Sequence, residues 1–466
     1  DITVTDTASG QTIDVSAALT SDGVSLSYRL SYHTDGSGHW DGGYVLLAYK
    51  STGDANRASD QVFKVTLDPT SEHGSYKFEL LGNLDHPVAN IEDNLDLTFH
   101  LIATDADGDQ IHTDITVAVN DDSPITVLSI PDGNVEEEQF VPSGNRQTQG
   151  NEDTSGAGDG DHSIRGHLID LTSAHVDGLL NIAWGADSGN SNVDGGFTGT
   201  QVNGDRSVVF ATGSGASPTT LSADDVRAFL GVTDGNLSLD PASLTSRGVA
   251  LQYVLSANGT TLTAFAGDPG LGHEVFVVKL SDQGLLNTGA YSFDLKDVLD
   301  HPVKGNSPSQ EDALSFTFTF TARDGDGDGV SDHFTVNVSD DSPLIVNPES
   351  LKVSESTENT PDNTFIPAEA SGSLGVHWGA DDNNSGAADR SVAFTAATIN
   401  ALDALHLRSN GTTIHYTLSD DNTLLTAKAG SVTVFTVQLS DASVNGSYTF
   451  SLLDNIDHRG SGASVQ

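Results

Sequence analysis

The chain has 466 residues, length for two to four domains at roughly 100 to 200 residues each, and carries 19 Lys and Arg against 66 Asp and Glu, a formal charge of −47. That charge excludes nucleic acid and anionic membrane surfaces as partners and makes cations the natural counterpart. Cysteine is absent, which removes disulfides and thiolate metal sites, and no apolar run approaches the roughly 20 residues that span a bilayer, so no direct membrane insertion is expected.

The acidic, glycine-rich composition is not that of a disordered tail, because aromatic and β-branched residues fall in regular alternating runs. No methionine occurs and residue 1 is Asp, so the chain reads as an internal piece of a longer protein, monomeric within it, with any export signal elsewhere.

Taken in order, the chain divides into three units, predicted at 1–124, 125–343 and 344–466. In the first, Phe63, Val65 and Leu67 alternate, then Tyr76, Phe78 and Leu80, then Leu95, Leu97, Phe99 and Leu101, then Ile115, Val117 and Val119. Such period-two runs between Gly, Asn and Asp turns are strands with one face buried. The fold class they predict is all-β: tandem antiparallel β-sandwich domains of immunoglobulin or cadherin-like kind, with calcium at loops and junctions. Ahead of these runs, Trp40, Asp41 and Tyr44 lie in a polar, glycine-rich stretch unique to unit one, where an exposed aromatic could stack on a sugar ring.

Unit two begins with a segment, 135–161, that reads as a linker or long loop. Its strand runs repeat those of unit one as Phe276, Val278 and Leu280, then Tyr291, Phe293 and Leu295, then Leu314 to Phe320, then Phe334, Val336 and Val338. At 219 residues it is about twice a simple sandwich, which suggests a division into two lobes near 247. Ser222 is positioned to cap a brief helix carrying Val226, Phe229 and Leu230. Unit three repeats the Trp-Gly-Ala-Asp and Asp-Arg-Ser-Val stretches of unit two, at Trp378 and Asp389 for Trp184 and Asp205, and ends in mid-domain, truncated or interrupted.

Two stretches carry the chemistry. Asp105, Asp107 and Asp109 alternate with Ala and Gly, and sixteen residues after Asp105 comes Asp121-Asp122-Ser123-Pro124, preceded by Asn120; Asp324, Asp326 and Asp328 with Asp340-Asp341-Ser342-Pro343 repeat the layout at the same offset. Carboxylates this dense repel one another unless a cation sits among them, and oxygen-only ligands suit a hard ion, so the expected cofactor is Ca2+. An EF-hand is excluded, since its twelfth loop position is Thr116 or Thr335 rather than Glu. The layout resembles cadherin-type junctions, in which Asn120, Asp121 and Asp122, or Asp340 and Asp341, would join a carboxylate such as Glu137 or Glu355 of the next unit. A third motif, Leu84-Asp85-His86-Pro87, returns at Leu299 and, without proline, at Ile456; its Asp-His pairs offer metal ligands or a proton relay, but it reads more readily as a turn in which Asp caps backbone amides and His packs beside Pro.

The stretches Val62 to Pro87, Thr104 to Asp109 and Val119 to Pro124, with their copies, resemble the repeat domains of giant adhesins of the repeats-in-toxin (RTX) type, exported by type I secretion in Gram-negative bacteria. The likeness covers nearly all of units two and three and the last two thirds of unit one. It implies calcium-stiffened modules at the bacterial cell surface, acting in adhesion and biofilm formation, that scaffold a domain binding a host-cell or surface glycan or peptide. The family's nonapeptide calcium repeats are absent. No nucleophile elbow, P-loop or zinc-protease helix motif appears; His273-Glu274 has Val277 where a second His belongs, so no enzyme activity is expected. The alternatives are a lectin-like module, through Trp40, Asp41 and Tyr44, and a secreted calcium-dependent hydrolase.

Overall fold

Strand-forming alternation dominates the chain, and the computed structural model is mostly β, with two short α-helices among the described residues: 2–6, 12–14, 19–86, 94–140, 174–186, 188–189, 205–210, 218–302, 313–341, 343–355, 365–384 and 390–458. No helix there is long and apolar enough to cross a membrane.

In unit one, Val24–Thr34, Trp40–Lys50, Gln61–Asp68 and Ser75–Leu80 form one antiparallel sheet, and Ile2–Asp6, Asn94–Thr104 and Gln110–Asn120 belong to another. Phe63 and Val65 of the first pack with Leu95, Leu97 and Phe99 of the second in one core. Tyr76 and Leu80 share the inward parity of Phe78, yet both are about half exposed, because Ser75–Leu80 is the sheet's outer strand.

Unit two covers that edge. His175–Leu179 pairs outside Ala290–Leu295, and Tyr291, the counterpart of Tyr76, is buried and stacks on Phe334 with ring centroids 4.0 Å apart. Gly178 makes this possible, since a Cβ there would lie 2.1 Å from the Tyr291 ring. The second sheet is built on the long hairpin Ala313–Arg323 and Gly329–Ser339, flanked by Leu230–Asp234 and by Gly133–Glu136 in parallel.

The expected division near 247 is not seen. Val208, Phe229 and Val232, before that point, share one core with Phe276, Phe293 and Phe316, after it, because strands of the front half complete the same two sheets. Ala223–Phe229 is the helix capped by Ser222: the Ser222 hydroxyl accepts from the Asp225 amide and the Asp225 carboxylate accepts from the Ser222 amide.

Unit three forms a six-stranded sheet from Ala368–Ser373 to Arg408–Ser409, with its core on Ile414, Leu425, Val434 and Phe435. A second helix, Ala396–Asp403, was not foreseen; its N-cap, Thr395, makes no side-chain cap bond and none of its residues is fully buried, so neither signal is written strongly. No counterpart of the long hairpin occurs among its described residues.

Candidate metal centres

Each long hairpin holds its Asp triplet at one end and its acidic pair at the other. At roughly 3.3 Å per residue the eleven residues of Gly329–Ser339 set them about 33 Å apart, so one unit's triplet and pair cannot share an ion. The triplet meets the pair of the preceding unit instead.

At the first junction the turn Asp324 to Asp328 closes through the Asp324 amide donating to the Asp328 carbonyl at 3.0 Å, with Gly327 at φ +110°. Unit one docks on it. The His86 amide donates to Asp326 Oδ2 at 3.0 Å, and the Ser123 hydroxyl donates to Asp328 Oδ2 at 2.8 Å. Asp324 and Asp328 are buried. Burial, then the closeness of Asp326 and Asp328, pushes the Asp324 carboxyl up to about 9; burial, then the Asp328 carboxyl, pushes Asp121 up to about 7.

Asp121 Oδ2, Asp324 Oδ2 and Asp326 Oδ1 are buried and find no hydrogen-bond donor among the described residues. Orphaned carboxylate oxygens converging from two units have the donor chemistry that a hard divalent ion requires.

The same turn in unit one, Asp105 to Asp109, has the same closing bond at 3.0 Å. Asp105, Asp107 and Asp109 come close enough to hold a metal ion, but all three are exposed. The Asp107 side chain and the Asp109 amide hold the Asp105 carboxyl below its usual range. Asn120 and Asp122 are exposed as well; Asp122, like Asp121, Asp324, Asp326 and Asp328, falls in none of the groups of three ligand atoms within 4.8 Å found among the described residues.

At the second junction Asp340 and Asp341 divide their roles. Asp341 is buried and its Oδ2 accepts from the Ala380 amide of unit three at 2.7 Å. Gly379 permits this approach, at φ +76° with room for no Cβ beside Asp341. Asp340 instead groups with Glu137 and His301, one ligand atom of each lying within 4.8 Å of the others.

The pairing expected of Glu137 is therefore corrected: it joins the end of its own unit, not Asp121 or Asp122. The parallel register that sets Glu136 opposite Ser339 carries Glu137 to the Asp340 end. Glu355 likewise stays in its own unit, accepting from the Ile456 amide at 2.6 Å, with His458 Nε2 at 3.6 Å.

The sequence offers His301 both as a metal ligand or proton relay with Asp300 and, more readily, as a turn residue packed beside Pro302. The aspartates of that motif are indeed caps: Asp85, Asp300 and Asp457 accept from the amides of Gly23, Gly248 and Gly411 at 2.7–2.8 Å. Each of these glycines and the residue before it has positive φ, the signature of a type I′ hairpin turn. The side chain of His301 is 2 % exposed, with Nε2 3.6 Å from Glu137 Oε1. Burial, partly offset by His301, pushes Glu137 up to about 7; burial, then Glu137 and Asp340, pushes Asp381 of unit three up to about 8. Arg247 reaches both Asp297 and, at 3.8 Å, Asp382 across the junction.

Trp40 and Tyr44 lie on an exposed face with Tyr32, ring centroids 5.3–6.2 Å apart. Asp41 turns away to His33 Nδ1 at 2.6 Å and the Gly43 amide at 3.0 Å. Trp184 and Trp378 each carry an arginine, Arg206 and Arg390, 4.9 Å over the ring, and are structural.

No protein-family model matches this chain, and neither a curated protein nor a solved structure is significantly similar to it.

Proposed function

We propose that the chain is a calcium-dependent structural segment of an RTX-type adhesin on a bacterial surface, exported by type I secretion, its immunoglobulin-like β-sandwich units forming a rigid stalk and scaffold. The observation that carries this reading is the first junction, where Asp121 meets the Asp324 turn and one buried oxygen each of Asp121, Asp324 and Asp326 lacks a donor among the described residues. Calcium, when bound, supplies the positive charge and coordination those oxygens need. The residues do the rest: His86 and Ser123 fix the register of one unit on the next, and the Asp324 turn presents its carboxylates toward the acidic pair.

Small-angle scattering of the full chain tests this. With calcium the profile should be that of a stiff rod of units, and with a chelator it should broaden to a distribution of bends. Superimposable profiles would overturn the reading.

A second reading, a lectin-like surface on unit one, is favoured by the exposed trio Tyr32, Trp40 and Tyr44, since aromatic faces stack on sugar rings. A glycan array on which the wild-type chain binds and a Trp40→Ala variant does not would support it; silence of the wild type would remove it.

A further inference from the structure

The two junctions differ in the atoms they offer. At the first, the His86 amide and the Ser123 hydroxyl donate to Asp326 and Asp328, and the His86 imidazole stands near enough to favour the Asp121 charge, but no cluster of imidazole and carboxylate ligand atoms within 4.8 Å forms there among the described residues. At the second an imidazole enters the cluster: His301 Nε2 stands 3.6 Å from Glu137 Oε1, and Asp340 completes the group.

This group is held from several sides. Glu137 is fully buried, and its Oε1 is fixed by the Leu299 amide at 2.7 Å, while its Oε2 finds no donor among the described residues. His301 follows Asp300, which is anchored on Gly248. Asp381 of unit three lies at the same junction, between Ala380, whose amide donates to Asp341, and Asp382, which Arg247 reaches at 3.8 Å.

The Glu–His pair alone belongs to the fold of units two and three, because Glu355 and His458 repeat it at 3.6 Å with the His458 side chain exposed. What the end of unit two adds is a further carboxylate, Asp340, and the burial of all the pair's atoms. One imidazole with two carboxylates is a donor set for a borderline ion; calcium takes oxygen, whereas imidazole suits zinc and its neighbours.

We propose that unit two, at its junction with unit three, binds one zinc-class divalent ion through Glu137, His301 and Asp340. The site is independent of the calcium reading: it is selected by His301, whatever occupies the first junction.

The test uses the full chain, stripped with chelator, returned to excess calcium, and titrated with zinc by calorimetry with metal content measured in parallel. One equivalent of zinc should be retained against calcium, and X-ray absorption should show an imidazole among nitrogen and oxygen neighbours at about 2.0–2.2 Å. His301→Gln should weaken that equivalent by more than the roughly 10–100-fold that loss of an outer partner costs, while His86→Gln leaves it unchanged. Asp340→Asn should weaken it too and serves if His301→Gln fails to fold. Zinc displaced by calcium, a spectrum without imidazole, or uptake indifferent to both variants would overturn the proposal. Calcium-dependent scattering is read separately, so stiffening without zinc uptake sinks only this site, and zinc uptake without stiffening sinks only the stalk.

Discussion

A carboxylate that leaves water without gaining a donor must take up either a proton or a cation. Asp324 and Asp121 are in that position, raised to about 9 and about 7. Both lie above the unfolded value of about 3.9, so the metal-free folded chain binds more protons than the unfolded one between those limits. Its stability is therefore greatest on the acid side of this window and falls as pH rises through 7 toward 9. The exposed carboxylates held below their usual range, such as Asp240 beside Arg227, have finished titrating before pH 5 and do not mask the trend. Denaturant unfolding in chelator should give lower stability at pH 9 than at pH 5; a rise would contradict the crowding of these groups. Asp324→Asn follows from the same reasoning. Near neutral pH the metal-free Asp324 holds its proton, so the amide should change metal-free stability by less than about 1 kcal/mol. It should nevertheless cut the gain in melting temperature that calcium produces, since a ligand is lost. An undiminished calcium gain would remove Asp324 from the site.

Turns, more than strands, set where the chemistry lies. Asp300 reaches 52 residues back to cap the Gly248 amide of a type I′ turn, and its neighbour His301 is thereby aimed at Glu137. Asp300→Ala leaves the exposed Gly248 amide to water and should cost about 0.5–1.5 kcal/mol, measured by denaturant unfolding against the wild type in the same metal condition. A neutral result would make the cap incidental. The strands themselves were legible, because Leu314, Phe316, Phe318 and Phe320 alternate with Ser and Thr and all four are buried. So was the Ser222 helix, whose cap is written locally. What could not be read locally was partnership. Nothing near Glu137 in the chain says that a parallel pairing will set it beside Asp340, 203 residues on, and nothing near Tyr76 says that its sheet ends there. The triplets and pairs were recognisable as acidic clusters from spacing alone, but which triplet meets which pair depends on the length of the hairpin between them.

At the scale of the molecule, the formal charge of −47 offers a rival account of any calcium effect, in which divalent ions merely relieve general repulsion along an acidic rod. The two accounts part on burial. Repulsion between exposed charges is screened within about 8 Å at 0.15 M salt and about 3 Å at 1 M, so sodium chloride alone would relax a chain limited by surface charge. Asp324, Asp328 and Asp341 are each about 2 % exposed or less, out of reach of the ion atmosphere, and their repulsion is little changed by monovalent salt. Scattering in chelator should thus keep its broad, bent profile as sodium chloride is raised from 0.15 to about 1 M, and should return to the stiff profile only when calcium is restored. Recovery of the stiff profile by sodium chloride alone would mean that the junction carboxylates are open to solvent and that the units are aligned by charge density rather than by ions held between them.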